Sequence, residues 1–152
     1  MTPREVVVRV RVLPHGEGLP LPRYATEGAA GLDLRAAVAG ALELAPGERA
    51  LIPTGLALAI PPGYEGQVRA RSGLALEHGL GLPNAPGTID SDYRGEVKVL
   101  VINWGERAVR IDRGMRIAQL VIAPVSRARL EPVARLDPTP RDEGGFGHSG
   151  DR

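Results

Sequence analysis

The sequence predicts an all-β fold, and three observations carry that expectation. Twenty Gly and fourteen Pro are spread through 152 residues without low-complexity runs, and both residue types penalise helix interiors. Short apolar runs recur at 30–36, 41–44, 49–60, 64–70, 96–103, 107–111 and 115–124. Turn residues separate them at Pro46-Gly47, Pro61-Pro62-Gly63, Trp104-Gly105 and Asp112-Arg113-Gly114. Regular short strands at this spacing point to a sandwich, barrel or jelly roll.

The elements follow in order. Val6, Val8, Val10 and Val12 alternate with Val7, Arg9, Arg11 and Leu13, the period-two pattern of a half-buried first strand. A Pro-rich connector at 14–25 leads into the apolar runs. The one helix is expected from Ser72 to Gly79, with Ser72 as N-cap and Gly79 as the C-terminal stop. Residues 82–95 read as a hairpin. Beyond residue 125 little can form a core, which divides the chain into a β domain over 1–137 and a flexible Gly-rich tail over 138–152. Phe146, the only Phe, lies in that tail between Gly145 and Gly147, a setting suited to closing an aromatic ring over a flat ligand.

Composition narrows the function. A net charge of +1 gives no electrostatic footprint for nucleic acid or a membrane surface, so any anion must be bound locally. Eighteen of the nineteen basic residues are Arg, the side chain suited to bidentate capture of phosphate or carboxylate, although base composition or heat adaptation gives the same skew. The absence of Cys excludes disulfides, a thiolate nucleophile and a Cys-ligated metal. The start, MTPREVVVRVRVL, lacks the apolar core of a signal peptide, and no window is long enough to span a membrane. A cytoplasmic location is the expectation.

GTIDSDYRGE at 87–96 is the segment richest in chemistry, with two acids, an aromatic ring and backbone-permissive glycines between two strand-like runs. Asp90 follows the apolar Ile89, so a strand edge could hold one carboxylate while Asp92 caps the turn. Four further segments accompany it: AGLDLRA at 30–36, RSGLA at 71–75, GMRIAQLV at 114–121 and RDEGGFGHSG at 141–150. Together, in this order and over almost the whole chain, the five resemble the motifs of the trimeric dUTP diphosphatases (dUTPases). The resemblance implies a distorted jelly-roll subunit, a homotrimer with shared active sites, and Mg²⁺-dependent hydrolysis of dUTP to dUMP and pyrophosphate.

Residue roles follow from the same likeness. Asp90 matches the carboxylate that orients and deprotonates water for attack on the α-phosphorus; as a plain turn acid it would instead accept backbone N–H bonds. Asp33, a charge in an apolar run, matches the residue that supports Mg²⁺ through water, in keeping with that ion's few protein ligands; the alternative is a strand-edge acid paired with Arg35 or another Arg. Arg71, Ser72 and Gly73 match a phosphate-contacting triplet at a helix start. Gln119 interrupts an apolar strand and matches a Gln of the phosphate region. Asn84 and Gly87 lie in the hairpin implied to read uracil, whose acceptor-donor-acceptor edge main-chain groups can complement. Tyr93 matches the ring that packs on deoxyribose and excludes a 2′-hydroxyl. In the tail, Arg141 and Ser149 match phosphate contacts, and Phe146 with Gly147 the segment that stacks on uracil. Asp142, Glu143 and His148 depart from the family pattern there, and the two acids oppose anion binding.

Two rivals are tested against the same residues. A dCTP deaminase of the same superfold needs a glutamate where this chain has Leu100. A catalytically silent nucleotide-binding trimer would not need Asp33, Asp90 and Gln119 together.

Overall fold

The segment EVKVLVIN shows how the pattern becomes structure: Val97, Val99, Val101 and Asn103 are buried while Glu96, Lys98, Leu100 and Ile102 are not. In the computed structural model, which describes residues 5–150, this segment is strand β8 (Glu96–Asn103). The other strands are β1 (Arg9–Val12), β2 (Leu32–Arg35), β3 (Leu42–Leu44), β4 (Arg49–Ala59), β5 (Tyr64–Arg69), β6 (Leu80–Gly81), β7 (Gly87–Ile89), β9 (Val109–Ile111) and β10 (Arg116–Pro124). A single α-helix, α1 (Ser72–His78), joins β5 to β6. All seven apolar runs of the sequence contain a strand.

Every strand pair is antiparallel. One sheet has the order β1-β4-β8-β6, the other β2-β10-β5-β7, and β3 pairs with β9 in a separate ribbon. A common core draws Ile52 and Val99 from the first sheet, Leu34 and Leu120 from the second, and Leu44 and Ile111 from the ribbon. Two sheets closing on one core, with strands that alternate between them, form the expected jelly-roll class of fold. Among the described residues no helix is long and apolar enough to cross a membrane.

Two polar devices fix the corners. Asn103 is fully buried; its Nδ2 donates to the Leu44 carbonyl at 2.9 Å and the Arg107 carbonyl at 2.8 Å, and its Oδ1 accepts from Gly105 N–H at 2.8 Å. It thereby ties the ribbon to β8. In β4, the pairing with β8 shifts between Pro53 and Ala57, and Gly55 within the shift has φ of +70°. That conformation needs glycine. A Cβ there would also lie 2.7 Å from the Gly16 nitrogen, so the bulge is where the turn Pro14–Gly16 seats against the sheet.

Three local expectations are corrected. All four residues of β1 are exposed, Val10 at 41% and Val12 at 40%, because β1 is an edge strand paired only with β4; the half-buried alternation holds only just before it, at Val6 and Val8, of which Val8 packs against the core. The N-cap of α1 is Arg71 rather than Ser72, and no side chain caps the helix; Gly79, with φ of +68°, is the C-cap as expected. Residues 82–95 do not pair with themselves as a hairpin. Strand β7 pairs with β5 in the second sheet, while β6 and β8 pair with each other in the first, so the segment crosses from one sheet to the other and back.

Replacing Asn103 with Leu should lower stability by about 3 kcal/mol, since the buried Leu44 carbonyl and the part-buried Arg107 carbonyl and Gly105 N–H lose their partner at roughly 1–3 kcal/mol each, partly offset by relaxation and water. Urea unfolding at fixed protein concentration checks this; a midpoint within error of the parent would contradict it.

Candidate active site

The sequence-predicted residues fall into three groups. The first surrounds β10, where Gln119 is opposite Asp33 of β2 on one side and Arg69 of β5 on the other. Asp33, Arg71, Ser72, Gly73 and Gln119 line one open cleft of about 420 Å³, together with Gly31, Arg69 and Arg116. The Asp33 carboxylate receives Arg71 Nε at 3.2 Å and Arg116 Nη1 at 3.3 Å. It thus has arginine partners, but Arg35 is not one of them: that guanidinium donates to the Gly114 carbonyl at 2.8 Å. Gln119 Nε2 donates to the Ala70 carbonyl at 3.0 Å, which turns Oε1 toward Gly31 at the cleft wall. One carboxylate against three guanidinium groups leaves the cleft positive. Ser72 and Gly73 at the start of α1 line it, and no side chain caps the helix, which suits a phosphate chain.

The second group lies along β7. Asn84 is in the turn closed by Ala85 N–H to the Leu82 carbonyl at 3.1 Å, and its amide nitrogen stands beside Gly87. Ile89 is buried and Asp90, the next residue, is exposed. Neither Asp90 nor Asp92 caps the turn: among the described residues their carboxylates make no hydrogen bond and no ion pair. The turn is closed by Tyr93 N–H to the Asp90 carbonyl at 3.1 Å, and Tyr93 Oη donates to the Glu96 carbonyl at 2.9 Å with its ring over Gly95. None of Asn84, Asp90 and Tyr93 lines the Asp33 cleft.

The third group is the tail, whose hydrogen bonds among the described residues all lie within itself. Arg141 Nε donates to the Gly144 carbonyl at 2.7 Å, Gly144 N–H returns to the Arg141 carbonyl at 2.8 Å, and further tight turns follow through His148 and Gly150. Phe146 is fully exposed, with its backbone in the left-handed region at φ of +48°, next to Gly147. Ser149 is also exposed.

Sequence reasoning missed three participants. Arg116 lies inside GMRIAQLV but does not differ there from any exposed strand arginine. His15, to which no role was assigned, donates from Nε2 to Glu96 Oε1 at 2.6 Å. Glu96 closes the segment GTIDSDYRGE and also accepts Gly55 N–H at 2.9 Å. Burial alone would raise the Glu96 carboxyl, but the hydrogen bonds from His15 and Gly55, with the charges of His15 and Lys98, outweigh it and hold the group below the ordinary glutamate range.

Among the described residues no group of three or more His, Cys, Asp or Glu could hold a metal. Asp33 is the only carboxylate of the cleft, with the Gln119 amide oxygen as a second hard donor nearby. Such a sparse oxygen set does not make an all-protein cage; it fits Mg²⁺ that keeps its waters and takes other ligands from phosphates.

Fold and cleft together define an all-β protein with a cleft receptive to phosphate. The family model described as dUTPase matches residues 17–150. A deoxyuridine 5′-triphosphate nucleotidohydrolase of Rhizobium etli strain CFN 42 is 63% identical over 140 residues, covering 91% of this chain and 90% of the relative. A second, from strain CIAT 652, is 61% identical with the same coverage. The chain belongs to the dUTPase family. Among solved structures, a Staphylococcus bacteriophage 80alpha dUTPase variant with dUpNHpp matches with a TM-score of 0.85 at 28% identity, covering 95% of this chain and 98% of the phage protein. A dUTPase variant from phage phi11 of S. aureus, described for its coordination of a structural Mg(II) ion, matches with a TM-score of 0.75 at 26% identity, covering 85% and 97%.

A carboxyl lowered on folding binds fewer protons in the folded than in the unfolded state, so its contribution is present above the ordinary pKa and is lost as pH falls through the lowered one. The parent should therefore exceed Glu96→Gln in stability at neutral pH, and the gap should close in the acid range below 4.5. Denaturant midpoints of both proteins across pH check this; a gap that widens with acid would contradict it.

Proposed function

We propose that the protein is a dUTP diphosphatase that uses Mg²⁺ to hydrolyse dUTP to dUMP and pyrophosphate, working in the cytoplasm as a homotrimer with shared sites. The observation that carries the catalytic assignment is Asp90: an exposed carboxylate, without a partner among the described residues, at the end of a strand whose preceding residue is buried in the core. A carboxylate already engaged as a turn cap would have to break a bond before taking a proton. This one does not.

In this reading Asp90 orients a water and takes its proton as the water oxygen bonds to the α-phosphorus, while the bond from that phosphorus to the bridging oxygen breaks and pyrophosphate leaves. Arg71, the Ser72 hydroxyl, the Gly73 N–H and Gln119 hold the phosphate chain, and Asp33 and Gln119 hold Mg²⁺ through its waters. The ion supplies charge neutralisation on the phosphates. Asn84 and Gly87 read the uracil edge, and Tyr93 fills the space a 2′-hydroxyl would need. Arg141 and Ser149 add phosphate contacts, and Phe146 with Gly147 closes over the base. The products limit uracil in DNA precursors and provide dUMP for thymidylate. The dUpNHpp in the phage relative's structure supports this substrate class. Deamination is not favoured, since Leu100, a hydrocarbon side chain on β8, cannot shuttle a proton.

Neither Asp90 nor Tyr93 lines the Asp33 cleft, and among the described residues the tail hydrogen-bonds only within itself, which supports sites built from more than one subunit. On this basis the tail over 138–152 orders only on substrate bound to the trimer.

Asp90→Asn should bind dUTP but turn it over about 10²–10⁴-fold more slowly, the usual value of a positioned base. Pyrophosphate release checks this, and a rate within a few-fold of the parent would remove Asp90 from the role. Shared sites are checked by co-refolding Asp90→Asn with a chain truncated after Asp137, each nearly inactive alone. Random trimers should regain activity at about one quarter of sites, where one subunit lends Asp90 and another the tail. Mixed trimers without activity would rule out that sharing.

A further inference from the structure

The turn Pro14–Gly16 is fastened at several points to elements far away in sequence. Leu13 N–H donates to the Gly55 carbonyl at 2.8 Å, and Gly16 packs against Gly55. The Arg113 guanidinium donates to the His15 carbonyl at 2.8 Å and the Glu17 carbonyl at 3.0 Å. From this anchored turn His15 reaches the Glu96 carboxylate, which also takes the Gly55 N–H and has Lys98 Nζ at 3.9 Å. Glu96 begins β8, and its main-chain carbonyl is the acceptor for Tyr93 Oη in the loop that presents Asp90.

We propose that His15 and Glu96 are positioning residues for Asp90: their bond clamps the foot of the 90–95 loop to the β4 bulge and the N-terminal turn, so the Asp90 carboxylate is held ready for its water. The chain of contacts is continuous. It runs from His15 to the Glu96 carboxylate, from the Glu96 carbonyl to the Tyr93 hydroxyl, and from Tyr93 N–H to the Asp90 carbonyl. The loop has little else to hold it. Residues 92–95 are exposed, and its remaining bonds are from the flexible Arg94 side chain to carbonyls of the same loop. A loop with few external bonds opens locally at low cost, so one added anchor at its foot changes the fraction of time the base is in place.

The inference rests on Asp90 as the base, and its test separates the two ideas. His15 is half-exposed, so His15→Ala should fold. Hydrogen exchange over 90–95 should speed up about 10-fold while exchange over 97–103 does not change, and kcat should fall about 10-fold with KM within twofold. His15→Gln, whose amide can still donate to Glu96, should restore most of both. Unchanged exchange at 90–95, an equal rise throughout β8, or an unchanged kcat would each overturn the clamp. Failure of the base assignment shows separately, as retained turnover in Asp90→Asn, and the exchange data then still decide whether His15 holds the loop.

Discussion

Insertion of β10 between β2 and β5 is the constraint on which the arginine-lined cleft depends. Each neighbour delivers one part of it: β2 brings Asp33, β5 leads into Arg71 and the start of α1, and β10 itself carries Arg116 and Gln119. Arg116 and Gln119 are three residues apart, an odd spacing that a regular strand would send to opposite faces. The register shift between Arg116 and Ala118 resolves this. Two consecutive residues, Ile117 and Ala118, turn into the core, and Arg116 and Gln119 reach the same cleft. Extra residues of this kind re-aim side chains beside functional sites. A one-residue slip of β10 would bury Gln119 and expel Leu120, so the core enforces the register that the site needs.

The electrostatics of the cleft follow from that placement. Asp33 holds two guanidinium groups in a partly solvated position, where each pair contributes roughly 0–1 kcal/mol to stability. Their value to the molecule is therefore in orientation. Arg side chains are rich in rotamers, and holding Arg71 and Arg116 on one carboxylate removes part of the entropy an incoming polyanion would otherwise have to overcome. The same carboxylate tempers the positive field, so the cleft keeps a net positive charge without carrying three bare charges.

Much of the architecture was legible in the chain because alternation and turn chemistry report directly on it. β8 reads as buried at every second residue, and Gly79 marks the end of α1 as a left-handed stop. What was not legible depends on partners. Period-two alternation in β1 says that one face differs from the other, but not what covers it. Ser72 is a fit N-cap residue, yet the chain enters α1 one residue earlier, and only the dihedrals of Arg71 reveal it. The segment 82–95 carries hairpin composition, but the competing pairings of β7 with β5 and β6 with β8 draw its ends into different sheets. At the site, the family resemblance implied a shared region for Asp33 and Gln119, whereas Arg116, His15 and Glu96 matter through contacts across 81 or more residues of sequence. No local pattern encodes those.

The contrast between the rigid sandwich and the tail has a physical logic. Phe146 combines two costs, a wholly exposed ring and a left-handed backbone that disfavours a bulky side chain by about 1–2 kcal/mol. Among the described residues nothing covers the ring. A flat apolar surface offered from elsewhere would offset the first by removing the ring from water, and the flanking glycines leave the backbone free to meet it. The cleft on β10 is positive and polar-walled, so it suits phosphates and offers no such surface. On the proposed function, the base of a bound nucleotide would. Closure of the tail would then depend on the base and the phosphates being present together, with Phe146 reporting on one and Arg141 on the other, and a phosphate chain lacking the right base would leave the ring in water. On the proposed function, selectivity would be set by what the tail needs in order to close, while the sandwich would supply the positions of the charges and of Asp90.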